Sequence, residues 1–287
     1  RYGRPIYVRH EIVHNKTVVE QLEKLGAVFI EDLTEATDGA RVIFSAHGVP
    51  PSFHARAQAR GLKILDTTCP FVYDIHDEAS VALAGGAHLV FIGDPHHREV
   101  AGYTRDLDPR RFHILMTVEE ARAIDWSRYS KVKIFYQTTL NADDFEDLAR
   151  YIEQQVPATR ADTICYATKE NQEAAHELGR DPEIGLILVI GGTRSANTRH
   201  LWEICARSKP SHLIQGAEDI DPAWFEGVRV VGITAGASTP DYVVDEVEAR
   251  ARSLVAPGEA DAVAVVAQLV RGGRLPQAAL GEVPAQA

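Results

Sequence analysis

Ten short apolar runs, separated by amphipathic stretches, constrain this chain more than any other feature. They are "PIYVR" (5–9), "AVFIE" (27–31), "RVIFSA" (41–46), "LKILD" (62–66), "HLVFIG" (88–93), "FHILM" (112–116), "KVKIFYQ" (131–137), "LILVIG" (186–191), "SHLIQ" (211–215) and "RVVGIT" (229–234). Helical patterns such as "NKTVVEQLEKLG" and "TRHLWEICARSK" lie between them. This alternation predicts an α/β fold with mainly parallel sheets. The runs are near-continuous rather than alternating, as in strands covered on both faces. A second regularity overlies the first. Strand after strand ends in a polar, Gly/Thr/Ser-rich turn that opens a helix, at "SAHGVP", "TTCPFV", "GDPHHREV", "QTTLNADD", "GGTRSANT" and "TAGASTPD". Three similar α/β lobes account for it: an incomplete first lobe over 1–69, a second over 70–161 and a third over 162–255. The Ala/Gly/Pro-rich tail, 256–287, reads as a weak helix over 259–271 followed by disorder.

Charge and composition narrow the partners. The net charge of −11 disfavours nucleic acid and anionic membranes, although a local cluster of donors can still hold a small anion. No apolar run approaches the length of a membrane span, and no signal segment opens the chain. Three cysteines in 287 residues are no disulfide framework, so a reducing compartment is expected, with burial, metal binding or catalysis as the uses for a thiol. The cytoplasm is the simplest such place; a plastid would require that a transit peptide had been removed. The chain starts at Arg1, and its only Met is Met116, which points to a processed or fragmentary start.

In open α/β sheets, ligands sit beyond the carboxyl ends of the strands. The residues there are His47, Cys69, His97 with Glu99, Thr138, Ser195 with Asn197, and Ser238. Cys165 also precedes a helical stretch, and His14 and Asn15 sit where a helix begins. Cys69 and Cys165 share a setting, Thr-Cys or Thr-x-Cys before a helix, which lowers a thiol pKa and suits soft metals or iron–sulfur clusters. Their separation of 96 residues carries no local motif, so spacing alone favours two unrelated, partly buried thiols. Cys205, mid-helix in "LWEICARS", reads as structural. The histidines, serines and Asn197 are compact donors that suit a phosphate or diphosphate. No P-loop, GxGxxG, HExxH or paired CxxC occurs. Glu99 is either a solvated helix-start carboxylate or, in a closed anion pocket, an acid with a raised pKa that donates a proton near neutrality.

Taken together, "PIYVRHEIVHN", "FSAHGV", "DTTCP", "GDPHHREVAG", "QTTL", "ICYAT" and "GITAGASTPD" resemble, in matching order over 4–254, the 4-hydroxy-3-methylbut-2-enyl diphosphate reductase family of the methylerythritol phosphate isoprenoid pathway. The resemblance implies three α/β lobes around a central 4Fe–4S iron–sulfur cluster, each lobe giving one cysteine. Cys69 and Cys165 match two of these ligands. It also implies a diphosphate pocket of His14, His47, His97, Ser195, Asn197 and Ser238, with Glu99 as the proton-delivering acid and Thr138 its partner near the substrate hydroxyl. The substrate it implies is an allylic diphosphate, reduced to isopentenyl and dimethylallyl diphosphate with electrons from a donor such as ferredoxin or flavodoxin.

Three departures qualify this. The family's first cysteine lies in a Gly-Phe-Cys-Ala-Gly-Val-type segment upstream of "PIYVRHE", which this sequence does not contain; truncation is the expectation. Ala196 stands where the family has a second serine. Arg98 stands where a Pro is usual, with Asp94 and Pro95 altering the turn before it, and Arg98 is expected to point to solvent. The rivals are a cluster-less diphosphate-binding relative or inactive fragment and, third, a histidine-based metal hydrolase.

Overall fold

The computed structural model describes residues 5–10, 16–255 and 263–265. Its strands form three four-stranded parallel sheets. The first contains β1 (Ile6–Arg9), β2 (Ala27–Ile30), β3 (Arg41–Phe44) and β4 (Lys63–Asp66), in the order β2-β1-β3-β4, with helices α1 (Lys16–Lys24) and α2 (Pro51–Ala59) in its crossovers. Helix α3 (Pro70–Ala84) leads to the second sheet: β5 (His88–Ile92), β6 (Phe112–Leu115), β7 (Val132–Tyr136) and β8 (Ala158–Arg160), ordered β6-β5-β7-β8. Here the helices are α4 (Arg98–Thr104), α5 (Val118–Arg122) and α6 (Glu146–Gln155). Helix α7 (Tyr166–Arg180) precedes the third sheet, β10-β9-β11-β12, made of β9 (Ile184–Ile190), β10 (Ser211–Ile214), β11 (Val230–Ala235) and β12 (Val263–Val265), with α8 (Ala196–Ala206) and α9 (Asp241–Leu254). The three sheets share one strand order, as expected of repeated lobes. The chain divides into two compact units, Arg1–Lys169 with the first two sheets and Glu170–Ala287 with the third.

The continuous apolar runs are explained by cores on both sheet faces. In the second sheet Val90, Ile92, Ile134 and Tyr136 enter one cluster, while Leu89, Phe91 and Phe135 enter another. Alternate side chains point to opposite faces of a strand, so both sets must be apolar. In the third sheet Leu186, Leu188 and Ile190 divide from Ile187 and Val189 in the same way. The first sheet departs from this: its one core cluster holds Val42 and Phe44, while Val28 and Leu65 are exposed.

All ten expected strands are present. Two more exist. Strand β8, "ATR", has no apolar run to mark it and is recognised by its pairing with β7. Strand β12 corrects the expected helix over 259–271: Val263–Val265 pairs in parallel with Val231–Ile233 of β11. Pairing satisfies backbone groups that the edge of β11 would otherwise leave open. The rest of that expected helix lies outside the described residues. No helix among the described residues is long and apolar enough to cross a membrane.

Candidate functional site

In the first unit, the turns after β3, β5 and β7 carry the reactive side chains. Strand β5 is buried along its whole length and ends at Gly93, where a Cβ would lie 3.0 Å from both Gln137 Cβ and Val100 Cγ2. The turn then runs to His97, the N-cap of α4, whose Nδ1 accepts a hydrogen bond from Glu99 N at 3.3 Å. Capping leaves Glu99 in the first turn, and the helix lies against the core through Val100 and Tyr103. Glu99 is only 3% exposed.

Two hydrogen bonds fix its carboxyl. Thr138 N donates to Oε1 at 2.8 Å, and Thr138 Oγ1 donates to Oε2 at 2.7 Å. Burial pushes the Glu99 pKa up to about 6, against the downward pull of both Thr138 bonds. This decides between the two sequence readings: Glu99 is no solvated helix-start residue but a buried acid that titrates near neutrality. Gln137, 1% exposed, ties the two turns together, since Asp94 N donates to its Oε1 at 3.1 Å and its Nε2 donates to Thr139 Oγ1 at 2.9 Å. Thr138→Val should therefore raise the Glu99 pKa further, because the ionised form loses one charge-assisted bond. The high-pH limb of the pH–rate profile should move up by roughly one unit; an unmoved limb would show that the Thr138 hydroxyl does not tune this acid.

His47 follows β3, with Ser45 Oγ 3.4 Å from its Nδ1. Its ring lies 5.9 Å from that of His97, edge to face. The approach needs Gly102 on α4, where a Cβ would sit 3.3 Å from the His47 carbonyl, and Gly48, at φ +78°.

Cys69 is the N-cap of α3, and Cys165 directly precedes α7. Cys165 N donates to the Thr138 carbonyl at 3.2 Å, so Thr138 serves Glu99 with its N–H and hydroxyl and Cys165 with its carbonyl. The Cys165 Sγ lies 2.9 Å from Thr168 Oγ1 and accepts from Thr168 N at 3.3 Å. The Cys69 thiol feels the charges of Cys165 and Glu99, which places the three groups in one neighbourhood. One expectation is corrected here. The amides of Phe71 and Val72 do pull the Cys69 pKa down, as a helix N-terminus should, but burial outweighs them and the net shift is upward.

In the second unit, Ser195 caps α8, its Oγ accepting from Thr198 N at 3.3 Å. Asn197 is 7% exposed, and both polar atoms of its amide are buried without a hydrogen-bond partner, as is Thr198 Oγ1. Buried polar atoms are nearly always satisfied, so three such atoms at one helix start stand out. Glycines crowd it: a Cβ at Gly191 would be 2.5 Å from Thr198 Oγ1. Ser238 is half-buried in the turn after β11, and Ala196 is the first residue of α8. Cys205 is fully buried in α8, its thiol facing the Ala175 carbonyl at 3.9 Å and pushed by burial up to about 12, in line with a structural role. His14 lies outside the described residues. Sequence reasoning named neither Gln137, Thr168 nor Thr198; the first two were visible only as letters of "QTTL" and "ICYAT".

The family model described as LytB protein matches residues 1–252. The chain belongs to the LytB family. It is 41% identical over 264 residues to the 4-hydroxy-3-methylbut-2-enyl diphosphate reductase of Xanthomonas oryzae pv. oryzae, covering 89% of this chain and 83% of the relative. It is 43% identical to the reductase of the same name from Bordetella pertussis, covering 88% and 78%. Among solved structures, the E-1-hydroxy-2-methyl-but-2-enyl-4-diphosphate reductase from Plasmodium falciparum matches with a TM-score of 0.83 at 29% identity, over 96% of this chain and 87% of that one. LytB membership makes the chain an oxidoreductase, and the three-sheet α/β architecture is that of these relatives.

Whether this LytB chain suits an iron–sulfur cluster is a question about its donors. Cys69 and Cys165, soft and half-buried, are of the right chemistry for two ligand positions. The raised Cys69 pKa is no obstacle, since a coordinating metal deprotonates a thiol outright. Among the described residues no third Cys, His, Asp or Glu completes a metal-ligand group, and Cys205 is held in its own helix. Arg98 corrects a further expectation. It is half-covered rather than solvated, and its Nη2 donates to Glu31 Oε1 at 3.3 Å.

Proposed function

We propose that the chain reduces 4-hydroxy-3-methylbut-2-enyl diphosphate to isopentenyl and dimethylallyl diphosphate. The allylic C–O bond breaks, two electrons and two protons enter, and the hydroxyl leaves as water. The electrons come from a small redox protein of the ferredoxin or flavodoxin kind, in the reducing cytoplasm where free thiols persist. A 4Fe–4S cluster held in part by Cys69 and Cys165 supplies, when bound, Lewis-acid and one-electron chemistry.

The chain's own residues bind, orient and move protons. His14, His47 and His97 are the first unit's candidates for a diphosphate contact, and Ser195, Asn197 and Ser238 are those of the second unit. A helix N-terminus with unsatisfied amide and hydroxyl groups favours an oxyanion. Glu99 is the acid. Its pKa near 6, raised further by a bound diphosphate, keeps a proton available at neutral pH. Thr138 passes or orients that proton, since its hydroxyl already holds the carboxyl. What carries the reading is this single constellation: a buried acid tuned toward neutrality, joined through Thr138 to the backbone of Cys165.

A second reading, a diphosphate-binding relative that holds no cluster, draws on one observation, the absence of a third metal ligand among the described residues. Iron and sulfide analysis after anaerobic reconstitution separates the two. A full 4Fe–4S complement per chain supports the reductase; no bound iron alongside intact diphosphate binding supports the relative. Under both readings His47→Ala should weaken diphosphate binding about tenfold by calorimetry, the worth of one charge-assisted hydrogen bond. Unchanged affinity would remove His47 from the site.

A further inference from the structure

Two segments of the first unit, the end of β1 and the start of α4, meet at one carboxylate that no part of the proposed reaction uses. Glu31 directly follows β2. Its Oε2 lies 2.8 Å from His10 Nδ1, and its Oε1 accepts from Arg98 Nη2 at 3.3 Å. Both partners sit at sensitive points. His10 directly follows β1 and leads into the segment that carries His14. Its φ of +62° is unusual for a residue with a side chain and is unfavourable unless its surroundings hold it. Arg98 stands between His97 and Glu99 as the first residue of α4. The side chains of His10 and Arg98 are 12% and 30% exposed, while Glu31 is 71% exposed, so the carboxylate closes over the two from outside. Its own backbone is fixed, since Glu31 N donates to Glu35 Oε1 at 2.9 Å.

We infer that Glu31 is a positioning residue: bridging His10 and Arg98, it holds the end of β1 and the start of α4, with its cap His97, in register for diphosphate binding. The inference rests on the proposed function for its substrate. The bridge should act on affinity and not on the proton step, because Glu99 is held separately by Thr138. An exposed ion pair is worth about 0–1 kcal/mol, so the expected effect is a rise in Kd of about fivefold.

Arg98 supplies a sharp discriminator. Its backbone N–H is at the N1 position, where Pro is tolerated because that N–H needs no partner. His97, at φ −71° and ψ 136°, already has the backbone a residue before Pro prefers. Arg98→Pro should therefore stiffen the start of α4 without the bridge.

The test measures Kd for inorganic pyrophosphate by calorimetry, and hydrogen exchange at the Glu99 and Ala101 amides, in wild type, Glu31→Gln, Arg98→Gln, the double variant and Arg98→Pro. Glu31→Gln and Arg98→Gln should each raise Kd about fivefold and speed exchange at both amides. The double variant should add no further loss, kcat should stay within about twofold of wild type, and Arg98→Pro should bind like wild type. Arg98→Pro binding as weakly as Arg98→Gln would overturn the inference, since Arg98 would then act on the diphosphate by its charge. Additive losses, or unchanged exchange in Glu31→Gln, would overturn it too. If wild type fails to bind pyrophosphate, the diphosphate reading fails, and the exchange data alone decide the bridge.

Discussion

Glu99→Gln is expected to lower turnover by about 10²–10⁴-fold, the usual contribution of a positioned general acid, with Kd for the diphosphate unchanged within about threefold. The amide preserves shape: its oxygen accepts from Thr138 N, and its NH2 faces the Thr138 hydroxyl, which can accept. Only the proton is lost. Equal loss of binding and turnover would mean that Glu99 shapes the pocket rather than acting as an acid. The same variant has a signature in stability. Burial raises the folded-state pKa from 4.5 to about 6, so between these values the folded chain binds more protons than the unfolded one. Stability therefore falls as pH rises through that window and levels off above it, a loss of about 2 kcal/mol. Glu99→Gln lacks this loss. It should be about 2 kcal/mol more stable than wild type at pH 8 and equal to it near pH 4, as read from urea unfolding. A buried acid that destabilises its own fold would, if it is the proposed proton donor, be a usual stability–activity trade.

The second large effect concerns the thiols. Cys69→Ser and Cys165→Ser should each bring bound iron and sulfide to background after anaerobic reconstitution and abolish turnover, because a hydroxyl is a poor ligand for iron in a sulfide cluster. Both side chains are half-buried and at helix starts, so the fold should survive, with unfolding free energy within about 1 kcal/mol of wild type. Cys205→Ser should do the reverse: iron content stays, and stability falls as a hydroxyl enters the apolar cluster around Ala175, Leu201 and Ile204. Iron retained in Cys69→Ser would show that Cys69 is not a cluster ligand.

Much of this was legible in the sequence because it is local. Apolar runs mark buried strands, and a chain that covers both faces of its sheets needs them nearly continuous, as at His88–Ile92 and Ile184–Ile190. Strands β8 and β12 escaped because three residues cannot show a period; partners distant in sequence decide them. The site followed the same rule. That reactive residues would follow strand ends came from topology, and His47, Cys69, His97, Glu99 and Thr138 lie there. What joins them was not legible. Glu99 and Thr138 are 39 residues apart, and nothing in "REV" or "QTTL" says that one threonine gives two bonds to the acid and a carbonyl to Cys165. The competition between burial and helix amides at Cys69 also needed three dimensions, since both effects are present and only their magnitudes decide. The same holds for Arg98, whose charge suggested solvent until Glu31 appeared beside it.

The central claim, that this chain removes an allylic hydroxyl by reduction with Glu99 as acid, meets its most direct test in one anaerobic assay. The reconstituted full chain receives 4-hydroxy-3-methylbut-2-enyl diphosphate and a low-potential reductant, and the diphosphates are separated and weighed by mass spectrometry. The account predicts isopentenyl and dimethylallyl diphosphate from wild type and recovered substrate from Glu99→Gln. Substrate returned intact by wild type that holds both cluster and diphosphate would contradict it.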